Sequence, residues 1–384
     1  MDFNLTKEQK DIQKAAYDFA EGEFDKEIAI DHELNEKFPF DIWKKACKLG
    51  FIGVHFPEEY GGQGFGVFEN VLIVEEFCRR DSGLGTALIL SDFSSEIILR
   101  CGNEDQKHQY ITPLTKGEAI SSGAFTEPDH GSDISQMSTT AVLDGGDFVI
   151  NGTKTFITNG KIAGYAIVLC QTDKNAKPTH RGQSTIIVDD LKNREGFEAV
   201  DIGVKMGIKM TSTAELSFDN VRVSKENIVG KENRGFYQTL EFFDESRIEI
   251  AAQALGIGQG AFDRSLAYAK QREQFGQKIS SLQVIQHKLA DMATKLETAR
   301  LLVYKAAWNL DQGRIDPKLT SMAKAYTARA AVEVCEEAIQ IHGGYGYILD
   351  YEVERFYRDA RITEIYEGTR EIQKNTIASA LIGK

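Results

Sequence analysis

Asp144-Gly-Gly-Asp-Phe-Val-Ile-Asn-Gly-Thr-Lys-Thr-Phe-Ile-Thr-Asn-Gly160 is rich in β-branched residues and carries three turn dipeptides, Asp144-Gly145, Asn151-Gly152 and Asn159-Gly160. Asp-Gly between apolar runs is a hairpin signal, because both residues accept the positive φ of tight hairpin turns. Phe148–Ile150 reads as a strand, and so do Tyr165–Cys170 and Ser184–Val188 further on. The runs are short and no helical stretches alternate with them, which favours an antiparallel β domain over a parallel sheet. This character holds from about residue 118 to 225.

On either side the apolar residues recur with a helical period. Thr6 and Gln9 form a capping box, followed by Ile12, Ala15, Ala16, Phe19 and Ala20. Phe38–Leu49 has a proline near its start and Gly50 just past its end, and Val67–Arg80 is apolar at 67, 68, 71, 72, 74 and 77. Beyond 226, Arg247–Gln274 and Leu282–Gln312 are long enough for bundle helices. The expected organisation is α+β and multi-domain. A helical domain covers 1–117, a barrel-like antiparallel β domain 118–225 and a helical bundle 226–384.

Bulk properties narrow the function. The chain has 384 residues, a net charge of −13 and a pI near 5.2, which argues against a nucleic-acid partner. Cys47, Cys78, Cys101, Cys170 and Cys335 are scattered, with neither metal spacing nor a disulfide framework. The amino terminus is polar, and no apolar run approaches the ~18–20 residues that span a bilayer. A soluble, cytoplasmic protein with reduced thiols is expected.

Gly256-Ile-Gly258-Gln-Gly260-Ala261 fits the dinucleotide fingerprint, but that motif needs a strand before its first glycine. The preceding Ile248–Leu255 is alanine-rich and helical. Small residues inside a helix are read here as sites of close helix–helix packing.

Five further segments recur in a definite order: Phe125-Thr126-Glu127-Pro128 with Gly131-Ser132-Asp133; Asn151–Gly160; Arg272-Glu-Gln-Phe275-Gly276-Gln-Lys-Ile with Gln283; Gln340-Ile-His-Gly343-Gly344-Tyr345-Gly346; and Arg358-Asp-Ala-Arg-Ile-Thr-Glu-Ile-Tyr-Glu367-Gly368-Thr369-Arg-Glu371-Ile-Gln. Together they resemble the acyl-CoA dehydrogenases over essentially the whole chain, and the helical–β–helical order is that family's architecture. The resemblance implies FAD as cofactor and oxidation of an acyl-CoA thioester at its Cα–Cβ bond. A base takes the α-proton while the flavin N5 accepts the β-hydrogen as hydride.

By the same resemblance, Glu367 is the catalytic base and its backbone N–H a donor to the thioester oxygen. A carboxylate desolvated between substrate and flavin becomes a stronger base, and a donor aimed at a developing oxyanion stabilises the transition state. Some members carry the base one residue before the position of Arg247; here that residue is Ser246, which cannot act as one. Phe125, Thr126, Ser132, Phe156 and Thr158 would hold the flavin, with Thr369 and Glu371 completing the set. Arg272, Gln283, Gln340, Gly343 and Gly344 would reach the FAD of a neighbouring subunit in a homotetramer. Ser132, Asp244, Arg247 and Gly368 would contact the acyl-CoA. Arg272 as a plain surface cation, Gly343-Gly344 as a helix cap and Asp244–Arg247 as an ion pair remain open. His130, His287 and His342 lack metal spacing, so no metal is expected.

The resemblance also implies an electron-transferring flavoprotein as acceptor. Oxidases of this kind usually extend further past the glutamate motif, and a non-catalytic flavin- or acyl-CoA-binding subunit would gain nothing from a base at Glu367. Three departures bear on substrate: Asp129-His130 replaces small residues, Gly123 replaces a bulkier side chain, and Asp92 falls in the stretch that lines the acyl pocket. Asp92 has two readings. It either caps a helix beginning near Phe93, or faces substrate as a second, distal base suited to a cyclic acyl-CoA, with Gly123 widening the pocket.

Overall fold

The structure, a computed structural model, describes residues 4–383. The helical N-terminal part holds α1 (Lys7–Glu23), α2 (Lys26–Leu34), α3 (Phe40–Lys48), α4 (Val67–Arg80), α5 (Ser82–Ile89), α6 (Ser95–Cys101) and α7 (Glu104–Thr115). The capping box forms as expected: Thr6 Oγ1 accepts from Gln9 N–H, and the Gln9 amide oxygen from Thr6 N–H. Phe19, Phe24, Phe51 and Phe77 pack ring on ring and lock α1 to α4.

Seven strands follow: β1 (Ser121–Ala124), β2 (Thr140–Asp144), β3 (Asp147–Thr158), β4 (Tyr165–Gln171), β5 (Gln183–Asp189), β6 (Phe197–Asp201) and β7 (Thr213–Ser224). They make one sheet in the order β1-β4-β2-β3-β7-β6, with β5 also paired to β4. The pairing is antiparallel except where β1 runs parallel to β4 and at one Thr140–Gln171 bridge. The β2–β3 hairpin turns on Gly145-Gly146, both at positive φ, one residue beyond the Asp-Gly step that signals it.

Two of the three turn dipeptides end strands; the middle one does not. Asn151-Gly152 lies inside β3, at a shift in its register with β7. A side chain on Gly152 would meet Thr139 at 2.5 Å, so glycine serves a bulge against the segment leading into β2 rather than a turn.

Strand β4 shows how the layers meet. All seven of its residues are buried, the mark of a strand covered on both faces. Tyr165, Ile167 and Leu169 join the helical core, and Ala166, Val168 and Cys170 join the β core with Ile150, Ile186, Leu216 and Val221. The period of two alone assigns alternate side chains to different domains.

The chain ends in α8 (Gly235–Gln271), the hairpin β8 (Glu273–Gln274) and β9 (Gln277–Lys278), α9 (Gln283–Asp311), α10 (Pro317–His342), α11 (Val353–Ile362) and α12 (Arg370–Ile382). Gly256, Gly258 and Gly260 all fall within α8. A Cβ on Gly256 would lie 2.4 Å from the Glu75 carbonyl oxygen, and one on Gly260 would lie 2.2 Å from that of Arg79. The glycines let α8 press directly on the backbone of α4. Among the described residues the five cysteines are free, and no helix is long and apolar enough to cross a membrane.

Candidate active site

Glu367 sits in the turn between α11 and α12, fixed by four side chains from three helices. From α8, Ser246 Oγ donates to Glu367 Oε2 at 2.6 Å and Arg247 Nε donates to its carbonyl oxygen at 3.2 Å. From α12, Gln373 Nε2 donates to the carbonyls of Glu367 (2.9 Å) and Gly368 (3.0 Å). From α10, Lys324 Nζ donates to those of Tyr366 (2.8 Å) and Gly368 (2.7 Å). Tyr366 itself is anchored by its hydroxyl to Gln253, which donates to Thr86 Oγ1 at 2.8 Å.

This cage holds a conformation that the sequence alone would not choose. Glu367 has φ +54°, in the left-handed region that glutamate rarely occupies, and Gly368 follows at +89°. Burial pushes the Glu367 carboxyl above its ordinary range, and the Ser246 bond, Arg247 and Lys324 offset part of that shift. Burial likewise pulls the Lys324 ammonium down to about 7, against the attraction of Glu367. Ser246, at the position of the alternative base, is thus a direct partner of the Glu367 carboxylate.

Arg247 also pairs with Asp244 at 3.6 Å and lies over the Phe243 ring. Phe243 in turn meets Phe125 with ring centroids 5.6 Å apart. The β-domain motif is therefore linked by contact to the glutamate turn. Lys154, fully buried in β3, donates to Phe125 O at 3.1 Å and Glu127 Oε1 at 2.9 Å. Glu127 accepts the N–H groups of Ser138 and Thr139 (2.6 and 2.9 Å), which closes the loop that displays Ser132 at the surface.

Thr155 N–H donates to Thr126 O at 2.9 Å, placing Thr126 beside β3. Phe156, two residues before Thr158, is 66% exposed at φ +58°, on an irregularity in the β3–β7 register. A large ring held outward by a strained backbone suits a planar ligand.

A second region lies at the far end of α8. Arg272, Tyr268, His342, Gly343, Gly344 and Tyr345 border an open cavity of about 470 Å³. Gly343 is also the C-cap of α10, as the cap reading has it. His342 stacks on Tyr268 at 4.3 Å, a packing role. Gln283, at the start of α9, and Gln340 are exposed and stand outside the cavity lining. Thr369 caps α12 through Ile372 N–H, and Glu371 is exposed on its first turn.

Asp92 is not a helix cap. Helix α6 begins at Ser95 with Ser94 as N-cap, and no side chain bonds its first turn. Asp92 is instead 6% exposed, and burial raises its carboxyl to about 7 despite a bond from Gly53 N–H. Glu96 and Glu249 are also held well above the carboxylate range, by burial first and by the Asp92 charge second. Gly123 does not widen a pocket: a Cβ there would lie within 3.0 Å of Phe125, Ser94 and Phe93. Its role is close packing.

Sequence reasoning missed Lys324, Gln373, Gln253, Glu249 and the Lys154–Glu127 pair. Lys324 had a readable signal, a cation among alanines on a helix face, and Glu249 follows Ser246 by three residues on α8.

The chain matches three family descriptions in succession: acyl-CoA dehydrogenase N-terminal domain over residues 6–118, middle domain over 122–221 and C-terminal domain over 233–382. It is 42% identical over 382 residues to the short-chain-specific acyl-CoA dehydrogenase of Clostridium acetobutylicum, covering 99% of this chain and 100% of that one. It is 41% identical over 382 residues to the caffeyl-CoA reductase-Etf complex subunit CarC of Acetobacterium woodii, covering 99% and 100%. The solved butyryl-CoA dehydrogenase from Megasphaera elsdenii superposes with a TM-score of 0.94 at 38% identity, over 100% of both chains. With the helical–β–helical architecture and a half-buried glutamate turn already in place, these matches make the chain a member of the acyl-CoA dehydrogenase family, FAD-dependent oxidoreductases that act on acyl-CoA.

Proposed function

We propose that the protein oxidises an acyl-CoA thioester to the enoyl-CoA, with Glu367 as the base. The observation that carries this reading is the cage around Glu367: a carboxylate made more basic by burial, in a strained backbone that four side chains enforce. Glu367 takes the α-proton, and its own backbone N–H faces the thioester oxygen as that atom gains charge. The bound flavin supplies the acceptor for the β-hydrogen, which leaves with its electron pair. Phe125, Thr126, Phe156 and Thr158 are the residues that would hold its ring, with Ser132, Thr369 and Glu371 around it. Asp244, Arg247 and Gly368 would contact the CoA thioester.

Arg247 and Arg272 lie roughly 37 Å apart along α8, taking about 1.5 Å per residue. A single extended FAD does not cover that span. The cavity at Arg272, Gly343 and Gly344, with Gln283 and Gln340 nearby, would therefore serve a neighbouring chain's cofactor, as in a homotetramer. The relative from an Etf complex supports an electron-transferring flavoprotein as redox partner.

The test is an anaerobic titration of the holoenzyme with straight-chain, branched and cyclic acyl-CoAs, following loss of the flavin's visible absorbance. The wild type is expected to bleach with at least one of them. Glu367→Gln should keep FAD and substrate but lose about 10²–10⁴-fold in kcat, with little change in KM. Near-normal turnover would require another base.

The burial of Asp92, together with its failure to cap α6, favours a second reading in which the substrate is a cyclic acyl-CoA and Asp92 is the distal base. Asp92→Asn would then lose turnover of cyclic but not straight-chain thioesters. Equal retention of both would remove Asp92 from the chemistry.

A further inference from the structure

The amide that joins Tyr366 to Glu367 has two edges, and the structure treats them differently. Its N–H has no acceptor among the backbone and side-chain groups of the described residues. Its carbonyl, on the opposite edge, accepts from Lys324 Nζ at 2.8 Å. The same ammonium reaches the Gly368 carbonyl at 2.7 Å, so it grips the chain on both sides of Glu367. Lys324 is fully buried on α10.

A peptide is one conjugated unit, with the C–N bond sharing electrons between nitrogen and oxygen. A donor on the oxygen draws density toward it, most strongly as the protonated ammonium present below about pH 7, and leaves the N–H more positive, and hydrogen bonds in a chain strengthen one another. The effect is largest where water is excluded, as it is around Lys324. Holding the turn in place does not by itself call for this cation: Gln373 already bonds the carbonyls of Glu367 and Gly368, and Arg247 bonds that of Glu367. What Lys324 alone reaches is the carbonyl of the Tyr366–Glu367 amide.

We propose that Lys324 is a positioning residue for the reaction: it fixes the plane of the Tyr366–Glu367 peptide and strengthens the Glu367 N–H as a donor to the thioester oxygen. This rests on the assignment of that N–H made above. Lys324 is 0% exposed and has no surface to offer a ligand. It acts through the peptide, so the carbonyl of the bound thioester should report its presence directly.

The experiment uses FAD-loaded wild type, Lys324→Met and Lys324→Gln, with FAD content and melting temperature measured for each. The probe is crotonyl-CoA labelled with carbon-13 at the thioester carbonyl, bound to the oxidised enzyme and followed by infrared difference spectroscopy. In wild type the carbonyl stretch is expected to fall below that of free crotonyl-CoA. In Lys324→Met that downshift should shrink, and Lys324→Gln, which keeps a shorter neutral donor, should lie between. Turnover of butyryl-CoA with an artificial acceptor should fall about ten- to hundredfold in kcat, less than for loss of a direct oxyanion donor, with KM changed less. An unchanged downshift and kcat in FAD-loaded Lys324→Met would overturn the proposal and leave Lys324 a packing residue. Should Lys324→Met not fold, Lys324→Gln carries the same comparison. A wild type with no downshift would overturn both this proposal and the N–H assignment, whereas the Glu367→Gln result would still decide whether Glu367 is the base.

Discussion

Asp92, Glu96 and Glu249 are three mutually repelling carboxyl groups, and Glu249 also feels the charge of Glu367, the proposed base. Burial holds Asp92 at about 7, so between pH 4 and 7 the folded protein keeps a proton there that the unfolded chain, with its ordinary carboxyl near 3.8, has released. Excess protons on the folded side mean that stability falls as pH rises through this window and levels off above it. Asp92→Asn removes the charge and keeps the shape. Its gain over wild type is expected to be small near pH 4 and to grow to at most about 4 kcal/mol above pH 7. Urea unfolding at several pH values checks this, and a gain independent of pH would show that the Asp92 carboxyl is not the strained group. Glu367 follows the same sign: with Glu367 as the proposed base, its raised pKa is expected to place the acidic limb of kcat/KM above the ordinary carboxylate range, with activity rising as the proton leaves, which a pH–rate profile checks.

At the scale of elements, α8 shows packing overruling local propensity. Alanine is intrinsically better than glycine in a helix by about 1 kcal/mol. Yet Cβ atoms at Gly256 and Gly260 would drive into backbone oxygens of α4, whereas one at Gly258 would meet the Leu296 methyl at 3.0 Å and the Ala331 backbone at 3.3 Å. Gly256→Ala and Gly260→Ala should each destabilise by about 2 kcal/mol or more, and Gly258→Ala clearly less. Melting curves that rank the three equally would refute this account. These glycines were legible because a helix, not a strand, precedes them. The limits of α4, the Thr6–Gln9 box and the cores of β3, β4 and β5 were legible for similarly local reasons. Local pattern failed where another segment decides the outcome: the Gly152 bulge answers to Thr139 just before β2, and β1, β6 and β7 gain their order from pairing. The site divides in the same way. Glu367 stands out through the residues beside it, whereas Lys324, Gln253 and Glu249 are brought to it by α8 and α10, helices remote in sequence.

For the molecule as a whole, one small polar cluster holds three regions together. Asp81 caps α5 through Gly83 and Leu84 N–H and takes both guanidinium arms of Arg355 on α11, at 2.7 and 2.6 Å. Asp359, one turn on, accepts from Ser82 Oγ (2.6 Å) and from Ile208 N–H of the β domain (2.5 Å). Both Arg355 and Asp81 are buried, so removing one partner strands a charge in the interior. Arg355→Met is expected to cost about 3–5 kcal/mol, and adding Asp81→Asn should recover part of it by neutralising the stranded group while keeping the cap. Calorimetry checks both, and additive losses in the double variant would exclude the pairing argument.

The double-faced strand β4 extends this point to inheritance. Family descriptions divide the chain into three successive texts, and on paper each could be exchanged for a relative's. In the folded object, alternate letters of one seven-residue word belong to different neighbours, so a transplanted β domain would bring half of another protein's helical core with it. Recombination among relatives should therefore succeed only where both halves of that alternating word travel with their partners, and the family should descend as whole chains.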